Sequence, residues 1–439
     1  MHESSAAPRL PPRALWLVVT RGLSGMGSAL TSFALNVWIF ERTQSYAVFA
    51  ILAIVTMLPN LVLAPFAGML VDRWKKHHLL LGCELAPMAA LVAALCAMQA
   101  GVLTPLAVGA LNLVMAVTAT MRWMVMGVVV STLVEAPDRA RINGLQQSFA
   151  GAATVLGPTL GAAAIQVVGP AGLLSTDLAL SVVAAITLLG IRIPEPDQSR
   201  ASRDAARMTF WQEVTFGWRW IAARPGLFRL MLFFTILNLG VAVYGVAFTP
   251  YLLANGAGPL LAWGLSTQGA GAFLGGLALA RWRGRFDAEA GVVFGALAFG
   301  VVMTLWGMSR QTAVLIALAG AAGVLTSLVM SSSQTLWQRE VPPDIQGKVF
   351  AARLMTSYLL RPVAVLASMP FATYVGEPLL VQASWARWFW GDGATASLGA
   401  VLSLLGLGIT MGCVVLAVRG GFGVATPTGD LPQGAVTKG

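Results

Sequence analysis

Runs of about 20 or more mostly apolar residues follow one another along this chain, separated by short charged or Pro/Gly-rich breaks. A hydrocarbon core about 30 Å thick is crossed by a helix of about 20 residues, so this repetition restricts the fold more than any motif does. In lipid every backbone N–H and C=O needs a partner within the protein, which leaves helices or closed barrels. The runs lack the period-two alternation of barrel strands. Composition agrees, with 57% of the 439 residues hydrophobic and 10% charged, against roughly 25% charged in a soluble domain. The expected fold class is an all-α membrane protein.

Punctuating the chain at its polar breaks predicts twelve spans, at about 14–40, 45–71, 78–99, 104–134, 143–168, 171–191, 227–254, 259–281, 290–308, 311–336, 346–375 and 395–418. The expected organisation is a six-helix bundle over 1–191, a cytoplasmic linker over 192–226, a second six-helix bundle over 227–418, and a flexible cytoplasmic tail over 419–439. The first run is too long for a signal-peptide core and is expected to be a retained helix. Cys83, Cys96 and Cys413 all lie in apolar segments without metal-ligand spacing, as small core residues do.

With both termini cytoplasmic, 22 of the 28 Lys/Arg fall in cytoplasmic segments and only Arg42, Arg310 and Arg387 fall outside. That asymmetry is the positive-inside pattern and favours an even number of spans. It also accounts for the net charge of +10 without nucleic-acid binding. Trp16, Trp38, Trp74, Trp282, Trp306 and Trp337 lie near span ends, where interfacial indoles are expected. Trp211, Val214, Trp218 and Ile221 recur at helical spacing in the linker and predict a helix lying on the cytoplasmic surface. The stretch SWARWFW at 384–390 predicts a similar interfacial piece outside.

The chain also repeats itself. GMLVDRW at 68–74 aligns with GLALARW at 276–282, an offset of 208, and Pro137-Asp138 aligns with Pro343-Asp344, an offset of 206. Two matches at nearly one offset argue for duplicated halves of six helices. Parallel repeats of this kind are a secondary-transporter architecture, with the substrate site between the halves near the bilayer midplane.

On these residues the sequence resembles the major facilitator superfamily. GMLVDRWKK is similar to the family's loop signature Gly-x-Leu-x-Asp-Arg-x-Gly-Arg-Arg at Gly68, Leu70, Asp72 and Arg73, with Lys75 replacing the usual glycine. GAATVLGPTLGA resembles the fifth-helix antiporter motif at Gly157, Pro158 and Gly161, with Ala153 and Ala162 replacing outer glycines. ERTQS, VEAPDRARINGL and WQREVPPDIQGKVFA make the macrolide-efflux and enterobactin-export branch the nearest in appearance. The resemblance implies a gate in which Asp72 meets the start of the eleventh helix, around Lys348–Arg353, while Arg73 reaches an acid ending the fourth, Glu135. The second copy has Ala280 in place of Asp72, so an acid-dependent latch would be one-sided.

Charges at membrane depth face a cavity or a partner. Arg122 in the fourth span and Arg361 in the eleventh are therefore substrate-site candidates, with a structural ion pair as the rival for Arg122. Arg21, about 10 Å into the first span, is expected to snorkel to the surface as an anchor. Glu84 and Asp177 are the two acids within spans and the candidates for proton coupling. Asn36, Trp123, Asn238 and Tyr244 complete the expected substrate wall, each with helix packing as its plainer role. The expected function is proton-driven efflux of an amphiphilic small molecule (a natural product, macrolide, siderophore or peptide) across a bacterial inner membrane by a multi-pass monomer in lipid. The cation-biased interior favours an anionic group on that cargo. An importer or lysolipid flippase is the alternative, and a non-transporting scaffold or sensor is a third. No phosphate-binding Gly-rich loop supports ATP-driven transport. His2, His77 and His78 form no catalytic constellation, so no cofactor, metal site or enzyme activity is expected.

Overall fold

A computed structural model describes residues 10–45, 63–194, 210–254, 261–282, 287–359 and 394–423 apart from Gly420, with short pieces at 48–59, 374 and 388–390. The long regular elements among them are all helices. In the first half they are α1 (Pro12–Thr43), α2 (Ala64–Arg73), α3 (Lys76–Gln99), α4 (Pro105–Leu133) and α5 (Ala136–Leu189). After α6 (Phe210–Ala222) come α7 (Pro225–Ala254), α8 (Leu261–Arg281), α9 (Ala288–Met308), α10 (Thr312–Glu340), α11 (Gln346–Leu359) and α12 (Ala394–Val418). Eight helices among the described residues are long and apolar enough to cross a membrane.

Local chemistry sets several boundaries. Pro12 and Pro105 stand in the first turns of α1 and α4, where no N–H is needed. The Thr104 hydroxyl caps α4 by accepting from the Ala107 N–H at 3.3 Å, and Asp287 caps α9 by accepting from Glu289 and Ala290 at 2.9 and 3.2 Å. Two expected spans, 143–168 and 171–191, form one helical run in α5 with a kink at Gly169. Its φ of 68° and ψ of 170° are open to glycine almost alone. The first limb of α5 begins at Ala136, which carries Arg139 and Arg141 into the helix.

Each half has its own apolar interior. In the second half, Phe234, Trp306, Trp337 and Leu402 belong to one large buried cluster. In the first half, one cluster joins Leu17, Leu80, Val125 and Ile142, and another joins Leu35, Ile39, Leu91 and Leu111 nearer the opposite end of α1. The halves meet where α2 and α4 pack on α11, and where α5 packs on α8 and α10.

Two expectations about tryptophans are corrected. Trp16, Trp74 and Trp282 are exposed, but Trp306 and Trp337 are completely buried. Trp306 stacks on Phe248, and Trp337 lies 5.3 Å from the Arg353 guanidinium, so both are interior contacts. The linker helix α6 docks on α11: Ile221 is buried and the Trp218 indole N–H donates to Thr356 Oγ1 at 2.8 Å. Outside α12, Trp388 is exposed while Trp390 donates to Ser403 Oγ at 3.0 Å.

Candidate functional site

One face of α1 carries Arg21, Ser24, Ser28, Ser32 and Asn36, spaced three or four residues apart, so they line up along the helix. Each meets a polar partner. Arg21 Nη1 donates to Glu84 Oε1 at 2.7 Å, and its Nη2 donates to the Leu80 carbonyl at 3.3 Å. Ser24 Oγ donates to Glu84 Oε2 at 3.5 Å and lies 3.3 Å from Ser181 Oγ. Ser28 donates to Asp177 Oδ1 at 3.1 Å. Ser32 donates to Asn112 Oδ1 at 2.7 Å, and Asn112 donates to Asn36 Oδ1 at 2.8 Å. A polar seam thus runs inside the first half from Arg21 to Asn36.

Arg122 joins this seam at its charged end. Its Nη1 donates to Glu84 Oε1 at 3.1 Å, so two guanidinium groups share one carboxylate oxygen. The expected surface role of Arg21 is therefore corrected: it is 5% exposed and held inward by Glu84. A buried charge without a partner is far more costly than a paired one, and Glu84 supplies that partner one helix away. Arg122 and Arg21 both line a cavity of about 250 Å³ whose wall also includes Trp123, Gln146 and Phe149. Trp123 is half-exposed and approaches Phe350 of α11 with ring centroids 6.3 Å apart.

A second cluster closes the cation-rich end. The Asp72 carboxylate accepts from the Gly347 N–H at 2.7 Å and the Lys348 N–H at 2.9 Å, at the start of α11. Free N–H groups at a helix start favour such an anion. Around it run bonds that join the halves. Gln338 Nε2 donates to the Gly127 carbonyl at 2.9 Å, Asn143 Nδ2 to Gln338 Oε1 at 2.8 Å, and Ser131 to Gln346 Oε1 at 3.0 Å. Arg139 Nη1 donates to the Gln338 carbonyl at 2.9 Å, and Arg141 Nε to the Ala280 carbonyl at 3.2 Å. Arg353 donates to Gln334 at 2.9 Å and Ser333 at 3.0 Å, both in its own half. Arg73 and Glu135 are both exposed at this end.

The remaining candidates are dispersed. Asn238 donates to the Phe234 carbonyl one turn back at 2.8 Å, which is packing within α7. Tyr244 is buried between Phe248 and Trp306 in the second-half core. Gly157 and Gly161 bring α5 close to α1, where a Cβ on Gly161 would stand 3.2 Å from the Leu30 carbonyl oxygen. Pro158 is helical in its backbone. Arg361 lies outside the described residues. The sequence reading missed Ser24, Ser28, Asn112, Asn143 and Gln338.

Comparison with known proteins sets this geometry in a family. The chain is 22% identical over 372 residues to macrolide efflux protein A of Streptococcus pyogenes, covering 81% of this chain and 88% of that one. In fold it resembles an outward-facing bacterial homologue of the iron transporter ferroportin, with a TM-score of 0.62 at 15% identity, covering 92% of this chain and 99% of that one. It also resembles the proton:xylose symporter XylE, with a TM-score of 0.58 at 13% identity, covering 90% and 95% respectively. The sequence profile of the Major Facilitator Superfamily matches residues 17–365, so the chain belongs to that superfamily and is a multi-pass membrane transporter, not an enzyme.

Proposed function

We propose that this transporter exports an amphiphilic small molecule across a bacterial cytoplasmic membrane in exchange for protons. The observation that carries the reading is the Glu84–Arg122 pair, at 3.1 Å, whose arginine lines a first-half cavity where Trp123 meets Phe350 of the other half. A carboxylate there can trade an arginine for a proton while the same arginine turns to cargo. Asp177, further along the seam, is the second titrating group. The halves 1–191 and 227–418 rock against each other, and the Asp72 contact with α11 holds the cytoplasmic side shut while the outside is open. Similarity to a macrolide efflux protein supports the outward direction.

The test compares small molecules retained by cells lacking the protein with those retained by cells expressing it or Arg122→Ala. Compounds that accumulate in the deletion and in Arg122→Ala, but not with the native chain, are its cargo. Their efflux from loaded proteoliposomes must then depend on an imposed pH gradient. Efflux indifferent to that gradient would remove the proton from the scheme.

A lysolipid flippase is the second reading. It draws on an apolar groove of about 580 Å³ between α2 and α4, lined by Phe66, Met69, Leu70 and Met121, with Arg73 and Trp74 at its cation-rich end. Protein-dependent flipping of a fluorescent lysophospholipid in vesicles, with no small-molecule efflux, would favour it.

A further inference from the structure

We propose that the cavity between α1, α4 and the first limb of α5 is an anion subsite. In it Arg122 and Gln146 hold the carboxylate or sulfonate head of the cargo, and Arg21 backs them. The inference rests on the reading of this chain as an amphiphile transporter and narrows its substrate class.

Three observations carry it. First, the guanidinium groups outnumber the acids in direct contact with them. Arg21 and Arg122 share the single carboxylate of Glu84. The nearest other acid along the seam, Asp177, is engaged by Ser28 two turns along α1. Second, donors exceed acceptors. Among the described residues, Arg21 Nε and Gln146 Nε2 are buried without a hydrogen-bond partner, and both residues line the cavity. Buried donors of this kind are costly to leave unmet, and a ligand oxygen would satisfy them. Arg21 is 5% exposed, so its position is set by the fold and not by solvent.

Third, size fits a head group and not a whole amphiphile. The cavity of about 250 Å³ is below the roughly 300–1,000 Å³ of a pocket that encloses a drug-sized ligand. Its other walls include Met26, Trp123 and Phe149. These surfaces suit the first carbons of an apolar body, which then continues past Trp123 toward Phe350. A cationic head group would instead meet two guanidinium groups, and like charges in a low-dielectric site repel strongly. Cargo bearing an amine as its only charge is therefore disfavoured at this subsite.

The test uses three fluorescent amphiphiles that share a dansyl body: dansylglycine (anionic), dansylglycinamide (neutral) and dansylcadaverine (cationic). Binding to the purified full chain in detergent is read by energy transfer from tryptophan. The expected result is about tenfold tighter binding of the anion than of the amide, the scale of one charge-assisted hydrogen bond. Arg122→Gln is expected to abolish that preference while Arg122→Lys keeps most of it, and Gln146→Leu weakens the anion alone by a few-fold. Thermal unfolding of each variant confirms that it is folded. Equal binding of anion and amide, an unchanged preference in folded Arg122→Gln, or binding of none of the three would overturn the subsite. Transport of the same probes into proteoliposomes separates the two readings. If dansylglycinamide or dansylcadaverine is carried at least as well as dansylglycine, the transporter reading stands and the anion subsite falls.

Discussion

Gly68 and Gly347 pack backbone against backbone, so closely that a Cβ on Gly68 would stand 2.6 Å from the Gly347 carbonyl oxygen. The repeat puts Gly276 in the place of Gly68, and Gly276 meets Gly144 the same way: a Cβ on Gly144 would stand 2.8 Å from the Gly276 carbonyl oxygen. The duplication therefore makes two crossings at one end of the molecule, α2 with α11 and α8 with α5. Close approach of this kind needs residues without side chains, because packing without a hydrophobic drive depends on contact. Gly276→Val is expected to pry the second crossing apart. Spin labels at His78 and Arg339, exposed on opposite halves, would then report a distance several ångströms longer at the cation-rich end. Unchanged distances in a folded variant would show that the crossing tolerates a side chain.

The two crossings are unequally fastened. The first has the Asp72 carboxylate on two N–H groups of α11, and the second has the Ala280 carbonyl, an uncharged acceptor, receiving Arg141. Hydrogen bonds to a charged group contribute about 1.5–3 kcal/mol, enough to shift a two-state population by about tenfold or more. Asp72→Asn is expected to lower the closed fraction at this end and slow transport by about that factor with normal expression. Ala280→Asp places an acid beside Arg141 and is expected to hold the end shut, which also slows turnover. Labelling of a cysteine introduced at this end should rise in the first variant and fall in the second. Matching changes in both would refute the asymmetry.

The Arg21–Glu84–Arg122 island has a stability signature. Removing one member of a buried ion pair costs about 3–5 kcal/mol, because its partner stays buried and unpaired. Glu84→Gln strands two guanidinium groups and is expected to lower the unfolding temperature markedly. Adding Arg21→Met to Glu84→Gln removes one stranded charge and should recover part of the loss. A double variant no more stable than Glu84→Gln would mean that water, and not Glu84, compensates Arg21.

Much of the contact between Asp72 and α11 was legible because it rests on chain-local features. The spacing of Gly68, Asp72 and Arg73, the match of this stretch to 276–282, and the glycine before Lys348 all lie within short stretches. The island was only half legible. Arg21, Glu84 and Arg122 each stood out as charges in apolar runs, but their pairing depends on how α1, α3 and α4 pack, which no local pattern records. The seam had a signal in the three- and four-residue spacing of Ser24, Ser28, Ser32 and Asn36. Serines are so common where membrane helices touch that the spacing acquired meaning only with Asp177 and Asn112 opposite. Trp306 and Trp337 show the converse failure. Their nearness to span ends suggested an interface, while packing against Tyr244, Phe248 and Arg353 put them inside.

Asp177 offers the sharpest test of proton coupling. Its Oδ1 receives Ser28, while its Oδ2 is buried with no partner among the described residues. A proton can occupy Oδ2 without breaking the Ser28 bond, so the site can load and unload while the seam keeps its shape. Asp177→Asn has a similar outline but cannot release a proton. Net efflux driven by a pH gradient is expected to fall by at least an order of magnitude in this variant. Exchange of labelled for unlabelled cargo at equal pH requires the halves to rock but no net proton movement, so it should persist. Ser28→Ala keeps the carboxyl and should retain gradient-driven efflux at a reduced rate. Loss of both exchange and net efflux in Asp177→Asn would make Asp177 a packing residue, and full gradient-driven efflux would place the coupling proton elsewhere, with Glu84 next in line.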